Sequence, residues 1–339
     1  HTIVGLKIKK AVENGAKLIV INPTETQADE WAYRRIIPKN DIKILKEVAK
    51  TLIDKGFVPD PEKTLGLEEL KASLEGIKVG KAAEEIGEIY GNSKKAMIVF
   101  DQKAIGTDAA KMIANIAVIS GHIGKARSGI IQLKPNNNSQ GLVDMGICKD
   151  FKEIIHGIEK KTVKGLLIFG EDIPHIDLSN LDFLMVQDTN LTETAKKADV
   201  VLPAVSFTES RGTYTSSERR IQRINQAIPP LGHMENWQSI IGLANALSTN
   251  MEYSSPDDIL DEISMNIPEY FKINVQKERG VFWPVNKNPI LYTNGNGFNF
   301  SHGKAKLQVV GEGRLFDRTV NTNNLINSFK LKLRLENII

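Results

Sequence analysis

The residues of this chain that could do chemistry are few and widely spaced. A single cysteine, Cys148, has no partner for a disulfide within these residues and cannot alone build a cysteine-ligated zinc or iron-sulfur site. The histidines (His1, His122, His156, His175, His233 and His302) form no HExxH or HxxxH pair, so a zincin-type centre has no support. No GxGxxG follows an apolar run, and neither GxxxxGK[ST] nor GxSxG occurs. The phosphate cradles of plain nicotinamide dehydrogenases and P-loop NTPases, and the nucleophile elbow of hydrolases, are therefore missing. What is distinctive instead is a set of longer segments, among them Gly5 to Pro23, Asn137 to Gly146, Gly170-Glu-Asp172, Val186-Gln-Asp188 and Leu191 to Pro203.

Each of these has a plainer reading. Asp188, Asp199 and Glu209 could equally cap elements and bridge strands. Arg219, Arg220 and Arg223 fit a solvated face. His122 and His175 read as surface or capping residues, and Cys148 as a small buried one. The segment Lys134 to Gln140 could be an inter-domain linker, although three Asn and a Gln in one tight loop exceed what solvent exposure needs.

The elements that must position these side chains follow an α/β rhythm. Gly5 to Asn14 carries one apolar helical face and is stopped by Gly15, and Lys17 to Asn22 is a continuous apolar run closed by Pro23, the pattern of a buried parallel strand. Ligands of such sheets collect at the carboxyl ends of the strands. Helices are expected over 41–55, 67–75, 81–90 and 108–120, and a second buried strand over 95–100. After the Asn-rich loop the rhythm restarts, with strands over 165–170, 183–188 and 199–203, a short helix over 192–197, and amphipathic helices over 237–247 and 256–265. Phe329 to Leu335 alternates like a strand. The reading is two tandem α/β domains, 1–135 and 136–300, and a tail over 301–339.

Composition agrees with two ordinary domains. The chain has 339 residues, against roughly 100 to 200 per domain. Its 44 Lys and Arg oppose 41 Asp and Glu, leaving +3 without a long basic block, which argues against binding nucleic acid through phosphate neutralisation. Apolar residues make up 41 % and charged ones 25 %, too apolar for a disordered chain. No apolar run approaches the ~18 residues of a membrane span. Opening on His1 without a signal-peptide pattern, the sequence reads as part of a longer polypeptide.

Several longer segments, taken in order, resemble the molybdopterin oxidoreductases, specifically formate dehydrogenase alpha subunits and the related G-type subunit of respiratory NADH dehydrogenase. They are Gly5 to Pro23, Asn137-Asn-Ser-Gln-Gly-Leu-Val-Asp-Met-Gly146, Gly170-Glu-Asp172, Val186-Gln-Asp188, and the most specific, Leu191-Thr-Glu-Thr-Ala-Lys-Lys-Ala-Asp-Val-Val-Leu-Pro203, continuing through Glu209, Gly212-Thr213 and Glu218-Arg-Arg-Ile-Gln222. The resemblance implies an α/β fold of two Rossmann-like domains with mainly parallel sheets. Each would hold one half of a bis(molybdopterin guanine dinucleotide) cofactor carrying molybdenum or tungsten. Residues 1–135 would match the family's third domain without its opening strand and helix, and 136–300 much of the second. The iron-sulfur domain and the thiolate or selenolate metal ligand would precede His1.

On this alignment the cofactor-facing positions are Asn22, Asp41, Lys134, Asn137, Asn138, Gln140, Gly170, Glu171, Asp172, Gln187, Asp188 and Asn236. Several depart from the family pattern. Asn22-Pro23-Thr24 replaces Asp-Pro-Arg, and Pro38-Lys39-Asn40-Asp41 replaces Pro-Gly-Thr-Asp. Phe100 to Gly106 lacks a Gly-x-Gly pair, Lys134 replaces an arginine beside the metal, and Asn236 replaces a guanine-binding Asp ahead of Trp237. A guanine is gripped by a carboxylate accepting from N1 and N2, so the losses at Asn22 and Asn236 weigh most. The expectation is the central region of an alpha-type subunit in an electron-transfer complex, serving as a cofactor-free scaffold and not catalytic alone. The alternative is the cofactor-binding part of an active formate dehydrogenase-like enzyme. Iron-sulfur and flavin- or NADH-type subunits would be partners, in the cytoplasm or at a membrane face.

Overall fold

The structure, a computed structural model, describes residues 1–101, 104–123, 127–147, 151–232, 234–267, 270, 273, 280–282 and 304–312. Cys148, His233, His302 and the expected strand from Phe329 to Leu335 lie outside them. The described residues fall into two units, residues 1–133 with 304–312, and residues 134–282. No helix among them is long and apolar enough to cross a membrane.

The first unit runs α1 (Thr2–Glu13), β1 (Ile19–Ile21), a 3-10 turn (Gln27–Trp31), β2 (Arg34–Ile36), α2 (Lys43–Asp54), β3 (Thr64–Leu65), α3 (Leu67–Leu74), α4 (Lys81–Asn92), β4 (Met97–Asp101), α5 (Thr107–Ile119) and β5 (Gly129–Leu133). β1 pairs with β2 and β4 with β5, both parallel. The core gathers on α2, whose Val48, Ala49 and Leu52 share one face and are almost fully buried with Leu70, Ile86, Met112 and Ile116. α2 starts where the Asn40 side-chain oxygen accepts from the backbone N–H groups of Ile42 (2.7 Å) and Lys43 (3.1 Å), satisfying donors that a helix start leaves free. α4 lies close because Gly87 has no side chain: a Cβ there would sit 2.7 Å from the Thr51 methyl.

The second unit runs α6 (Ser139–Asp144), α7 (Phe151–Glu159), β6 (Gly165–Phe169), β7 (Phe183–Asp188), a 3-10 turn (Ala195–Lys197), β8 (Val200–Pro203), β9 (Gly212–Thr215), β10 (Arg220–Ile224), α8 (Asn236–Ala246), α9 (Pro256–Asn266) and β11 (Val281–Phe282). β6, β7 and β8 form a parallel sheet with β7 central and buried from Leu184 to Gln187, which explains its unbroken apolar run. β9, β10 and β11 form a separate antiparallel sheet. The basic run within it is not a solvated face: Arg223 pairs with Asp257 (2.5 Å), and the Arg220 guanidinium lies 5.6 Å from the centre of the Phe282 ring.

Residues 304–312 lie beyond the two expected domains, yet they complete the first unit. β12 (Ala305–Lys306) adds parallel to β3, and Leu307 and Val310 enter the core beside Leu70. Gly66 makes this possible, since its φ of +81° suits only glycine and a Cβ would approach the Leu307 carbonyl oxygen to 2.5 Å.

Candidate functional site

In the second unit the parallel sheet delivers two polar side chains at the carboxyl end of its central strand. Gln187 is 2 % exposed. Its amide nitrogen donates to the Pro203 carbonyl (3.2 Å) and lies 3.5 Å from the Asn236 side-chain oxygen, while its own oxygen, also buried, has no partner among the described residues. An acceptor left unmade in the interior is costly and calls for a partner. Asp188 follows, half-buried. One oxygen accepts from the Asn190 N–H (2.9 Å), and the other takes no hydrogen bond from the described residues.

Beside them β6 ends at Gly170, whose N–H donates to the Gln187 carbonyl (2.8 Å) and whose φ is +66°. A Cβ on Gly170 would meet nothing within 4 Å, so the chain turns away over open space next to the Asp188 strand end. Glu171 is exposed. Asp172 serves the fold: it accepts from the Thr194 hydroxyl (2.6 Å) and N–H (3.0 Å), and these bonds hold its carboxyl below the usual carboxylate range. Asn236 is also engaged internally, its oxygen accepting from the Val205 N–H (2.9 Å) and its nitrogen donating to the Val205 carbonyl (3.4 Å). Just before it the buried Glu235 accepts from Arg211 (2.8 Å).

A second group surrounds Lys134, which is 9 % exposed. Its backbone N–H donates to the Ser217 hydroxyl (3.0 Å). Burial, and next the Arg219 charge, push its amine below the usual lysine value, against an opposing pull from Asp144. Asn138 takes a left-handed φ of +61°, and its oxygen accepts from the Thr215 N–H (2.9 Å), tying the loop to β9. Gln140 donates to Asp144 (2.8 Å), which accepts from the Tyr270 hydroxyl (2.9 Å), itself 2.6 Å from the Thr215 hydroxyl. Asn137 is exposed in the turn ahead of α6. Thr215 and Tyr270 carried no signal in the sequence, because 126 residues separate Tyr270 from Asp144.

The first unit differs. Asn22 donates both to the Thr24 carbonyl (2.7 Å) and to its hydroxyl (3.1 Å), closing a local turn after β1. Asp41 is 5 % exposed and accepts from the Gly106 N–H at the start of α5 (3.0 Å). Lys39 is exposed. His122, read as a surface or capping residue, is 1 % exposed and does the second, its ring nitrogen donating to the Tyr90 carbonyl (2.9 Å) in the last turn of α4. Among the described residues no group of three His, Cys, Asp or Glu is arranged to hold a metal.

Parallel sheets with polar groups at their carboxyl ends define an α/β protein of the class whose ligands collect at those ends. Residues 1–246 match the family model described as molybdopterin oxidoreductase, and the chain belongs to that family. It is 32 % identical to the F420-dependent formate dehydrogenase subunit alpha of Methanocaldococcus jannaschii, over 93 % of this chain and 55 % of that one. It is 30 % identical to a putative formate dehydrogenase of Staphylococcus aureus, over 97 % and 41 %. The chain thus spans about half the length of the curated relatives it matches. In fold it is similar to acetylene hydratase from Pelobacter acetylenicus, with a TM-score of 0.67 and 15 % identity over 88 % of this chain and 52 % of the other.

The family implies a molybdopterin cofactor, and the two units fit one differently. A guanine nucleotide needs acceptors for its N1 and N2 hydrogens and room for a phosphate against the backbone. The second unit offers the Asp188 oxygen that takes no bond from the described residues and the open turn at Gly170. In the first unit Asn22 is neutral and turned into its own loop, Thr24 carries no charge, and Asp41 is spent on α5.

Proposed function

We propose that this chain is the nucleotide-holding central region of a formate dehydrogenase-type alpha subunit, in a complex whose iron-sulfur and flavin- or NADH-type components lie outside these residues. The observation that carries this reading is the carboxyl end of β7, where a half-buried carboxylate with one oxygen unbonded among the described residues lies beside an open glycine turn. When bound, the cofactor would supply the redox chemistry at its metal. Asp188 would accept from a guanine edge. Lys134, at the position the resemblance assigns to an arginine beside the metal, would hold a substrate carboxylate as a point charge, without the two-pronged contact of a guanidinium. Formate is the substrate that the relatives' names support.

A second reading, a cofactor-free scaffold in an electron-transfer complex, is favoured by the first unit, where Asn22 and Asp41 are engaged by the protein itself. Metal analysis and fluorescence of oxidised pterin extracted from the native complex separate the two. About one molybdenum or tungsten per chain with released pterin supports the enzyme reading, and neither metal nor pterin supports the scaffold.

A further inference from the structure

We infer that residues 304–312 are a latch on the first unit: seated, they set the loop 38–41 and the starts of α2 and α5 in one arrangement, and these parts open and close together with the strap. In sequence the partners lie 203 to 272 residues apart. The strap is gripped by its backbone. Ala305 and Leu307 donate to the Lys63 and Leu65 carbonyls (2.8 and 2.9 Å). Further along, Asn115 on α5 is 2 % exposed and takes hold of Gln308 twice, donating to its carbonyl (2.8 Å) and accepting from its N–H (3.1 Å). A departing strap would leave that donor and acceptor in the interior, so the buried amide favours the closed state. Asp108, in the first turn of α5, accepts from the Gly311 N–H (3.2 Å) with one oxygen, while the other lies 3.5 Å from the Lys111 amine.

At the end of the strap the hydrogen bonds form a circuit. Asn40 donates to the Glu312 carbonyl (2.8 Å), and its oxygen accepts from the N–H groups of Ile42 and Lys43. Two N–H donors need an oxygen, so α2 fixes which way the amide faces and turns its nitrogen to the strap. The next residue, Asp41, accepts from the Gly106 N–H just ahead of Asp108. Strap, loop and α5 are thus joined in pairs: Glu312 to Asn40, Asp41 to Gly106, and Asp108 to Gly311. Gly311 admits this closeness, since a Cβ there would stand 3.0 Å from the Asp108 carboxylate. Bonds arranged in a network strengthen one another, and losing one weakens the rest. Leu307 and Val310, both buried in the core, add apolar anchorage from the same short segment.

Hydrogen exchange of the full chain tests the latch from both ends. Asn115→Leu keeps the size but neither donor nor acceptor, and it loosens the strap away from the loop. The Ile42, Lys43 and Gly106 amides should then exchange about tenfold faster, the scale of one or two hydrogen bonds. Leu307→Ala, which removes an apolar anchor instead, should give the same pattern. Asn40→Asp keeps an acceptor for α2 and removes the donor to Glu312. In this variant the Gly311 amide should exchange about tenfold faster while Ile42 and Lys43 stay protected. If Asn40 served only the start of α2, Gly311 would be unchanged, and the latch would be refuted. Unchanged Ile42, Lys43 and Gly106 amides in both strap variants would overturn it too. So would a rise spread equally over Val48 to Leu52 in the α2 core, which would mean that the whole unit had loosened.

Discussion

The role of Asp41 offers a sharp test of the reasoning, because the family resemblance marks it as a cofactor contact while the structure shows its carboxylate bonded at the start of α5. Its carboxylate, 5 % exposed, accepts from the Gly106 N–H at 3.0 Å, one of the donors that the start of α5 leaves unsatisfied. Replacing Asp41 by Ala removes a hydrogen bond to a charged acceptor, worth about 1.5–3 kcal/mol, and an acidic group at a helix start, worth ~0.3–1 kcal/mol. A net loss of about 2–3 kcal/mol is expected. At roughly 2–4 °C per kcal/mol for a body of this size, melting of the first unit should fall by about 5–10 °C. Asp41→Asn keeps an acceptor without the charge and should lose about half as much. Calorimetry gives the melting shift, and GDP titration of the same variants should show no change in affinity. An Asp41→Ala protein that melts like the parent but binds GDP tenfold more weakly would show that this carboxylate faces a ligand.

Three other outcomes follow from the packing and the titrating groups. Gly87→Ala should destabilise the first unit by about 1–3 kcal/mol in chemical denaturation, because the new methyl meets Thr51 between α2 and α4. In the second unit, hydrogen bonds hold Asp172 below its ordinary 3.8 and Glu209 below its ordinary 4.5. Their stabilisation is therefore complete above those values and is lost as pH falls through the lower folded values, so acid melting below about pH 4.5 should be blunted in Thr194→Val, which removes the hydroxyl that Asp172 accepts from. In the first unit, burial pushes the Tyr90 phenol from 10.0 up to about 12. The unfolded chain releases that proton first, so stability should decline between pH 10 and 12, and Tyr90→Phe should flatten the decline in a pH series of denaturant midpoints.

The sequence spoke most clearly where one physical pattern governed a segment. Strand β7 reads as a continuous apolar run because both its faces are covered, and α2 shows its core side through the spacing of Val48, Ala49 and Leu52. Elements fixed by distant partners were opaque. β5 lies in a stretch whose glycines suggest turns, and it exists because its whole length pairs with β4. The Asn-rich segment reads as a loop, yet α6 starts within it at Ser139, behind Asn138, whose left-handed backbone and bond to Thr215 set the entry angle. The candidate site divides the same way. The strand-end position of Gln187 and Asp188 was legible because strand ends are legible, whereas the bonds of Asp172, Asp41 and Asn236 depend on Thr194, Gly106 and Val205. A carboxylate that caps and a carboxylate that binds look alike until their neighbours are known.

The return of residues 304–312 to the first unit has a consequence for how the polypeptide comes into being. Leu307 and Val310 fill the core beside Leu70, and β12 completes the pairing of β3, so the first unit is finished only after the whole second unit has been made. A ribosome emits the segments in the order beginning, middle, end, while stability dictates that the middle can mature before the beginning is closed. At translation rates of about 5–20 residues per second, the interval between residue 133 and residue 304 lasts roughly ten to thirty seconds. Through that time the apolar surface destined for Leu307 and Val310 is uncovered, and it is a natural landing place for a chaperone.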